Sequence, residues 1–96
     1  MNKESIFRQL EQRIAGRALT AEVLDEFNAM AIADSLKQKR SIISHHLNNL
    51  HREQRVVKVN GRPVLFLPVT VLRDHHRLAV RHGEYASIQA LCADRQ

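Results

Sequence analysis

Ninety-six residues, 44% of them hydrophobic and 26% charged, fit one folded domain with little surplus core, and one Tyr, three Phe and no Trp make that core aliphatic. Cys92 is the only cysteine, which excludes an internal disulfide and suits a reducing compartment. The N-terminal MNKESIFRQLEQR lacks the apolar heart of a secretion signal and no run reaches membrane-spanning length, so a cytoplasmic protein is expected.

The net charge of +5 is sorted along the chain. Residues 37–62 hold Lys37, Lys39, Arg40, Arg52, Arg55, Lys58 and Arg62 against Glu53 alone, whereas residues 19–36 carry Glu22, Asp25, Glu26 and Asp34 with no Lys or Arg. A contiguous basic block of this kind suits an anionic partner.

Ile6, Phe7, Leu10 and Ile14 recur at helical spacing and predict a first amphipathic helix ending near Gly16. Thr20 is placed to cap a second helix, with Leu19 and Leu24 as a hydrophobic staple and Val23, Leu24 and Phe27 as its inner stripe. That stripe cannot continue without burying Asp34 and Ser35. A new phase of Ala29, Ile32, Ala33 and Leu36 predicts a break at Asn28, which caps the third helix, and Phe27 with Ile32 repeats the staple.

In RSIISHHLNNLHRE, Ile43, Leu47 and Leu50 mark the inner face of a fourth helix. Its outer face carries Ser41, Ser44, His45, Asn48 and Arg52, with Ile42 as an apolar exception. Val56, Val57 and Val59 precede Asn60-Gly61, and Val64, Leu65, Phe66 and Leu67 follow it, the pattern of a tight two-stranded hairpin. After Pro68, TVLRDHHRLAVRHG predicts a helix stopping at Gly83, and Tyr85, Ile88, Leu91 and Cys92 share one face of a short final helix.

The fold class expected is therefore mainly α with a small β-hairpin: a winged helix-turn-helix over residues 1–68, then a helical connector or dimerisation segment over 69–96. Such a fourth helix fits the major groove of duplex DNA, and the hairpin tip reaches the backbone or the minor groove. Arg62 at that tip is expected to face DNA, with Pro63 stiffening the exit and blocking edge pairing.

FNAMAIADSLKQKRSIISHHLNNLHREQRVVKVNGRPVLFLP, residues 27–68, resembles the N-terminal winged helix-turn-helix of the LevR-like, sigma-54-dependent transcription activators of bacteria. The resemblance rests on Ile32-Ala33, Arg40, Ile43, Ser44, Leu47, Asn48, Leu50 and Gly61-Arg62-Pro63-Val64. It departs from that pattern at Lys37 and Gln38, where Gly and an apolar residue are usual, and at Lys39, where a Ser or Asp cap is usual. The resemblance implies a bacterial transcription regulator in which the module is joined in cis to an AAA+ ATPase; no GxxxxGK[ST] loop is present here, so the chain is expected to be a fragment or a stand-alone homologue.

Arg40, Ser41, Ser44, His45 and Asn48 are the candidates for reading base edges, and Ile42 for a thymine methyl. Lys37, Lys39, Arg52, Arg55, Lys58 and Asn60 are assigned to phosphates. The expected partners are double-stranded DNA and a second copy of the chain on an inverted repeat, with no membrane. His45, His46, His51, His75, His76 and His82 lack the spacing of a zinc set, and no nucleophile or phosphate cradle is marked, so neither a cofactor nor an enzymatic activity is expected. The competing reading is a winged-helix protein-interaction module whose basic charge is incidental. RNA binding ranks lower, for want of an exposed aromatic stacking platform.

Overall fold

In the computed structural model, which describes residues 2–17 and 20–70, Asn2 opens the first helix by accepting a hydrogen bond from the Ser5 amide at 2.8 Å. The helix, α1 (Lys3–Ile14), buries Ile6, Leu10 and Ile14, and Gly16 follows it with a φ of 71° that a side chain would resist. Thr20 caps the next element as its sequence predicts, accepting from the Val23 amide at 3.3 Å, while Leu19 lies outside the described residues. That element is short: α2 (Ala21–Leu24) tightens into a 3-10 turn over Asp25–Phe27 instead of running on as one α-helix. Tightening sets Phe27 wholly inside and releases Asn28 into an extended conformation.

Asn28 is the joint of the fold. Its carboxamide accepts from the Ala31 amide at 2.8 Å, capping α3 (Ala29–Leu36), and donates to the Asp25 carbonyl at 2.9 Å. Its backbone also forms an isolated antiparallel bridge with Leu65.

Lys37 ends α3 in the left-handed conformation, φ 56° and ψ 43°. The Gln38 amide donates back to the Ala33 carbonyl at 3.0 Å and the Lys37 amide to Asp34 at 3.3 Å, so the turn keeps the shape a glycine would ordinarily supply. Lys39 precedes α4 (Arg40–Arg52) without a side-chain cap, as its departure from the usual Ser or Asp suggests. Gln54 closes α4 in the same manner, at φ 61°, with the Arg55 amide bonded to the Leu50 carbonyl at 2.9 Å.

The chain then forms β1 (Val56–Val59) and β2 (Leu65–Pro68), antiparallel and in register from Val56↔Pro68 to Val59↔Leu65. This corrects the tight turn expected at Asn60-Gly61. Asn60, Gly61, Arg62, Pro63 and Val64 all belong to the loop, and Val64 is not a strand residue. Pro63 has no amide to donate, so the ladder cannot begin before it. The Arg62–Pro63 peptide bond is cis.

Both strands and every described helix pack on one core containing Ile6, Leu10, Leu24, Phe27, Ile32, Ile43, Leu47, Leu50, Val59, Leu65 and Leu67. The arrangement is winged-helix-like, mainly α with a hairpin after the helices, as the periodicity predicts. Each of those large side chains stabilises the fold by roughly 1.5–3 kcal/mol, which sets α4 rigidly against α3 and the hairpin. Among the described residues no helix is long and apolar enough to cross a membrane. The helices expected beyond Pro68 fall almost entirely outside the described residues, which end at Thr70.

Candidate nucleic-acid interface

Complete burial of Ile43, Leu47 and Leu50 fixes the rotation of α4, and the opposite side is thereby turned to solvent. Arg40, Ser41, His45 and Arg52 are exposed there, with Ser44 and Asn48 half-buried at its edge. Lys37 and Lys39 are exposed in the turn leading into the helix, and Asn60 and Arg62 in the hairpin loop.

A cleft of about 430 Å³ separates α4 from the hairpin. Arg40, Ser44 and Asn48 line one wall, Lys58, Phe66, Pro63 and Val64 the other, and Asn28, Ala29 and Met30 the floor. The polar edge of α4 and the hairpin therefore open on the same space. Lys58 extends over the Phe66 ring, its ammonium 5.9 Å from the centroid, which keeps a cation at the rim of that wall.

The ridge of α4 outside the cleft is internally bonded. Arg52 donates from Nη1 to Asn49 Oδ1 at 3.1 Å, and Asn49 Nδ2 lies 3.2 Å from His45 Nε2. Of the candidate residues, Arg40, Ser44, Asn48 and Lys58 meet at the cleft, His45, Ser41 and Arg52 stand on the ridge beside it, and Lys37, Lys39, Asn60 and Arg62 surround both on flanking turns.

Arg55 goes elsewhere. Its guanidinium is held by both Glu4 oxygens, the Nη2 to Oε2 distance being 2.8 Å, lies 3.7 Å from Glu53 and stacks 4.3 Å above the Phe7 ring. The phosphate role expected of Arg55 is therefore replaced by a clamp between α1 and the start of β1. Lys3 pairs with Glu53 at the same corner, and Arg17 with Glu26 at 2.7 Å. These bonds hold the Glu4 and Glu26 carboxyls below their ordinary pKa and raise the Arg55 and Arg17 guanidiniums above theirs, in each case chiefly through the direct hydrogen bond to the partner.

Lys3, Arg17 and Arg55 are thus each neutralised by an acid. Among the described residues, Lys37, Lys39, Arg40 and Arg62 make no ion pair. Sequence reasoning missed Met30, which is 55% exposed and forms part of the cleft floor, and Asn49, which joins Arg52 to His45. Met30 stands out of phase with Ala29, Ile32, Ala33 and Leu36, a signal that could have marked it as outward.

The chain resembles a transcription regulator. It is 35% identical over 69 residues to the transcriptional regulatory protein LevR of Bacillus subtilis (strain 168), an overlap of 71% of this chain and 7% of that protein. The chain therefore matches only a small part of the length of this relative. No family model matches the chain, and no solved structure matches it.

Proposed function

We propose that the protein is a sequence-specific, double-stranded DNA-binding module of a bacterial transcription regulator, with α4 as the recognition helix and the β1–β2 hairpin as the wing. The observation that carries this reading is the cleft that Arg40, Ser44 and Asn48 share with Lys58 and the hairpin loop, flanked by cations that no acid of the described residues pairs. A duplex laid along that surface puts α4 in the major groove and the Asn60–Val64 loop on the neighbouring backbone or minor groove.

In this reading Arg40, Ser41, Ser44, His45 and Asn48 face base edges, while Lys37, Lys39, Arg52, Lys58, Asn60 and Arg62 contact phosphates or the minor groove. Two copies bind an inverted repeat in the cytoplasm. The similarity to LevR supports a role in transcription regulation, and, for a chain that is a fragment, the resemblance to sigma-54-dependent activators supports an AAA+ ATPase as its partner in cis.

The test is binding of the full chain to duplexes selected from a random pool, measured across salt concentrations. Affinity should fall steeply as salt rises, because bound cations displace condensed counterions. Affinity indifferent to salt overturns the proposal.

A second reading, a protein-interaction module, draws on the exposure of Met30 at 55% and Ile42 at 42%. Arg40→Ala with Arg62→Ala separates the two: the double variant stays folded in both cases, but loses duplex binding only in the first.

A further inference from the structure

Three side chains on the ridge of α4 form a directed relay. Arg52, Asn49 and His45 are spaced three and four residues apart, so they stack along one stripe of the helix, away from the buried Ile43, Leu47 and Leu50. A guanidinium donates and never accepts, so the Asn49 atom 3.1 Å from Arg52 Nη1 is the carbonyl oxygen. The amide nitrogen of Asn49 is thereby turned to His45, at 3.2 Å from Nε2. That nitrogen can only donate. His45 Nε2 must accept, and the single proton of the neutral ring resides on Nδ1.

We propose that Asn49 and Arg52 fix His45 in the Nδ1–H tautomer, opposite to the one a solvated imidazole prefers, and so make it a specificity-determining donor toward guanine. The inference rests on the DNA-binding reading above and adds the base class that one residue selects. With Nε2 occupied, the free polar atom of the ring is a donor. In the major groove guanine presents two adjacent acceptors, N7 and O6, whereas the acceptor N7 of adenine is flanked by an amino donor, the lone acceptor O4 of thymine by the C5-methyl group, and cytosine offers a donor alone. Asn49 and Arg52 are positioning residues, acting on the base through His45.

The tautomer is read on the full, nitrogen-15-labelled chain by long-range proton–nitrogen correlation of the imidazole rings at neutral pH, with His45→Gln assigning the signal. The expected result is a protonated Nδ1 and bare Nε2 for His45. Asn49→Asp leaves Arg52 its acceptor but presents His45 with a carboxylate, and moves the ring proton to Nε2; Arg52→Gln frees the amide and gives mixed tautomers. A bare Nδ1 in the unaltered chain overturns the inference.

Base preference is read by duplex selection from a random pool. The unaltered chain should favour guanine at one position of each half-site. His45→Ala and Asn49→Asp should each reduce that preference by about tenfold, the size of one well-aligned base contact, with the other positions unchanged. A chain that binds duplexes with a preference that neither variant moves overturns this inference alone. A chain that enriches no duplex overturns the base reading together with the proposed function, and the tautomer measurement then reports on the relay by itself.

Discussion

Asn28 and Leu65 are joined as an antiparallel bridge, so the residue that caps α3 also docks the second strand of the hairpin. The floor and the far wall of the cleft consequently move as one body. Asn28→Ala removes both side-chain bonds, to the Ala31 amide and to the Asp25 carbonyl, and should destabilise the domain by about 1–2 kcal/mol in urea unfolding. Asn28→Asp keeps the acceptor and loses the donor, so it should fall between the two. Equal stability of Asn28→Ala and the unaltered chain would show that the joint is immaterial.

The turn between α3 and α4 is under strain that costs the fold stability. Lys37 holds a left-handed conformation at a cost on the order of 1 kcal/mol, and Lys37→Gly should recover most of it. Lys39 leaves the first turn of α4 without a side-chain acceptor, and Lys39→Asp should stabilise the fold by about 1 kcal/mol. Both variants should unfold at higher urea than the unaltered chain yet bind duplex DNA more weakly, each having lost a cation. Tighter binding by either would remove these lysines from the interface.

Acid should loosen the clamps on α1. Glu4 and Glu26 have folded pKa values lowered from 4.5, so the stability they lend is present in full above that value and drains away as pH falls below it toward the folded values. Urea midpoints should therefore drop along an acid limb that begins near pH 4.5. Glu4→Gln and Glu26→Gln should each flatten that limb while lowering the midpoint slightly at neutral pH. Since both carboxylates are exposed, the effects should be small and should shrink in high salt.

Arg55 and Arg40 are both arginines of the basic block, and the structure assigns them opposite consequences. Arg55→Ala removes the stacking on Phe7, worth about 0.5–1 kcal/mol, together with the Glu4 pair, and should lower the melting temperature without altering the salt dependence of binding. Arg40→Ala should leave the melting temperature in place and relax the sequence preference at the base it faces, weakening binding to the preferred duplex by about 1–3 kcal/mol. A changed salt dependence for Arg55→Ala would show that the Glu4 clamp opens on DNA.

Local pattern carried most of the architecture. The phase slip between Phe27 and Ala29 located the break, and the carboxamide of Asn28 does there what its position predicts. The rotation of α4 was legible because Ile43, Leu47 and Leu50 leave no other face to bury. What escaped was settled by distant partners. The loop widened because Pro63 cannot donate and because Val59 and Leu65 close the ladder, a matter of pairing and not of the Asn-Gly signal. Arg55 looked like its basic neighbours; its partner Glu4 is 51 residues away, beyond any local periodicity. Gln54 and Lys37 carried no glycine signature of their left-handed turns.

The clamp between Glu4 and Arg55 also governs the order in which the molecule can be assembled during synthesis. The opening helix reaches its salt-bridge partners only after a span of 51 residues has been translated, and the loop so closed is among the longest the domain contains. Until residue 55 emerges from the ribosome tunnel, Ile6, Leu10 and Ile14 have an incomplete surface to dock on.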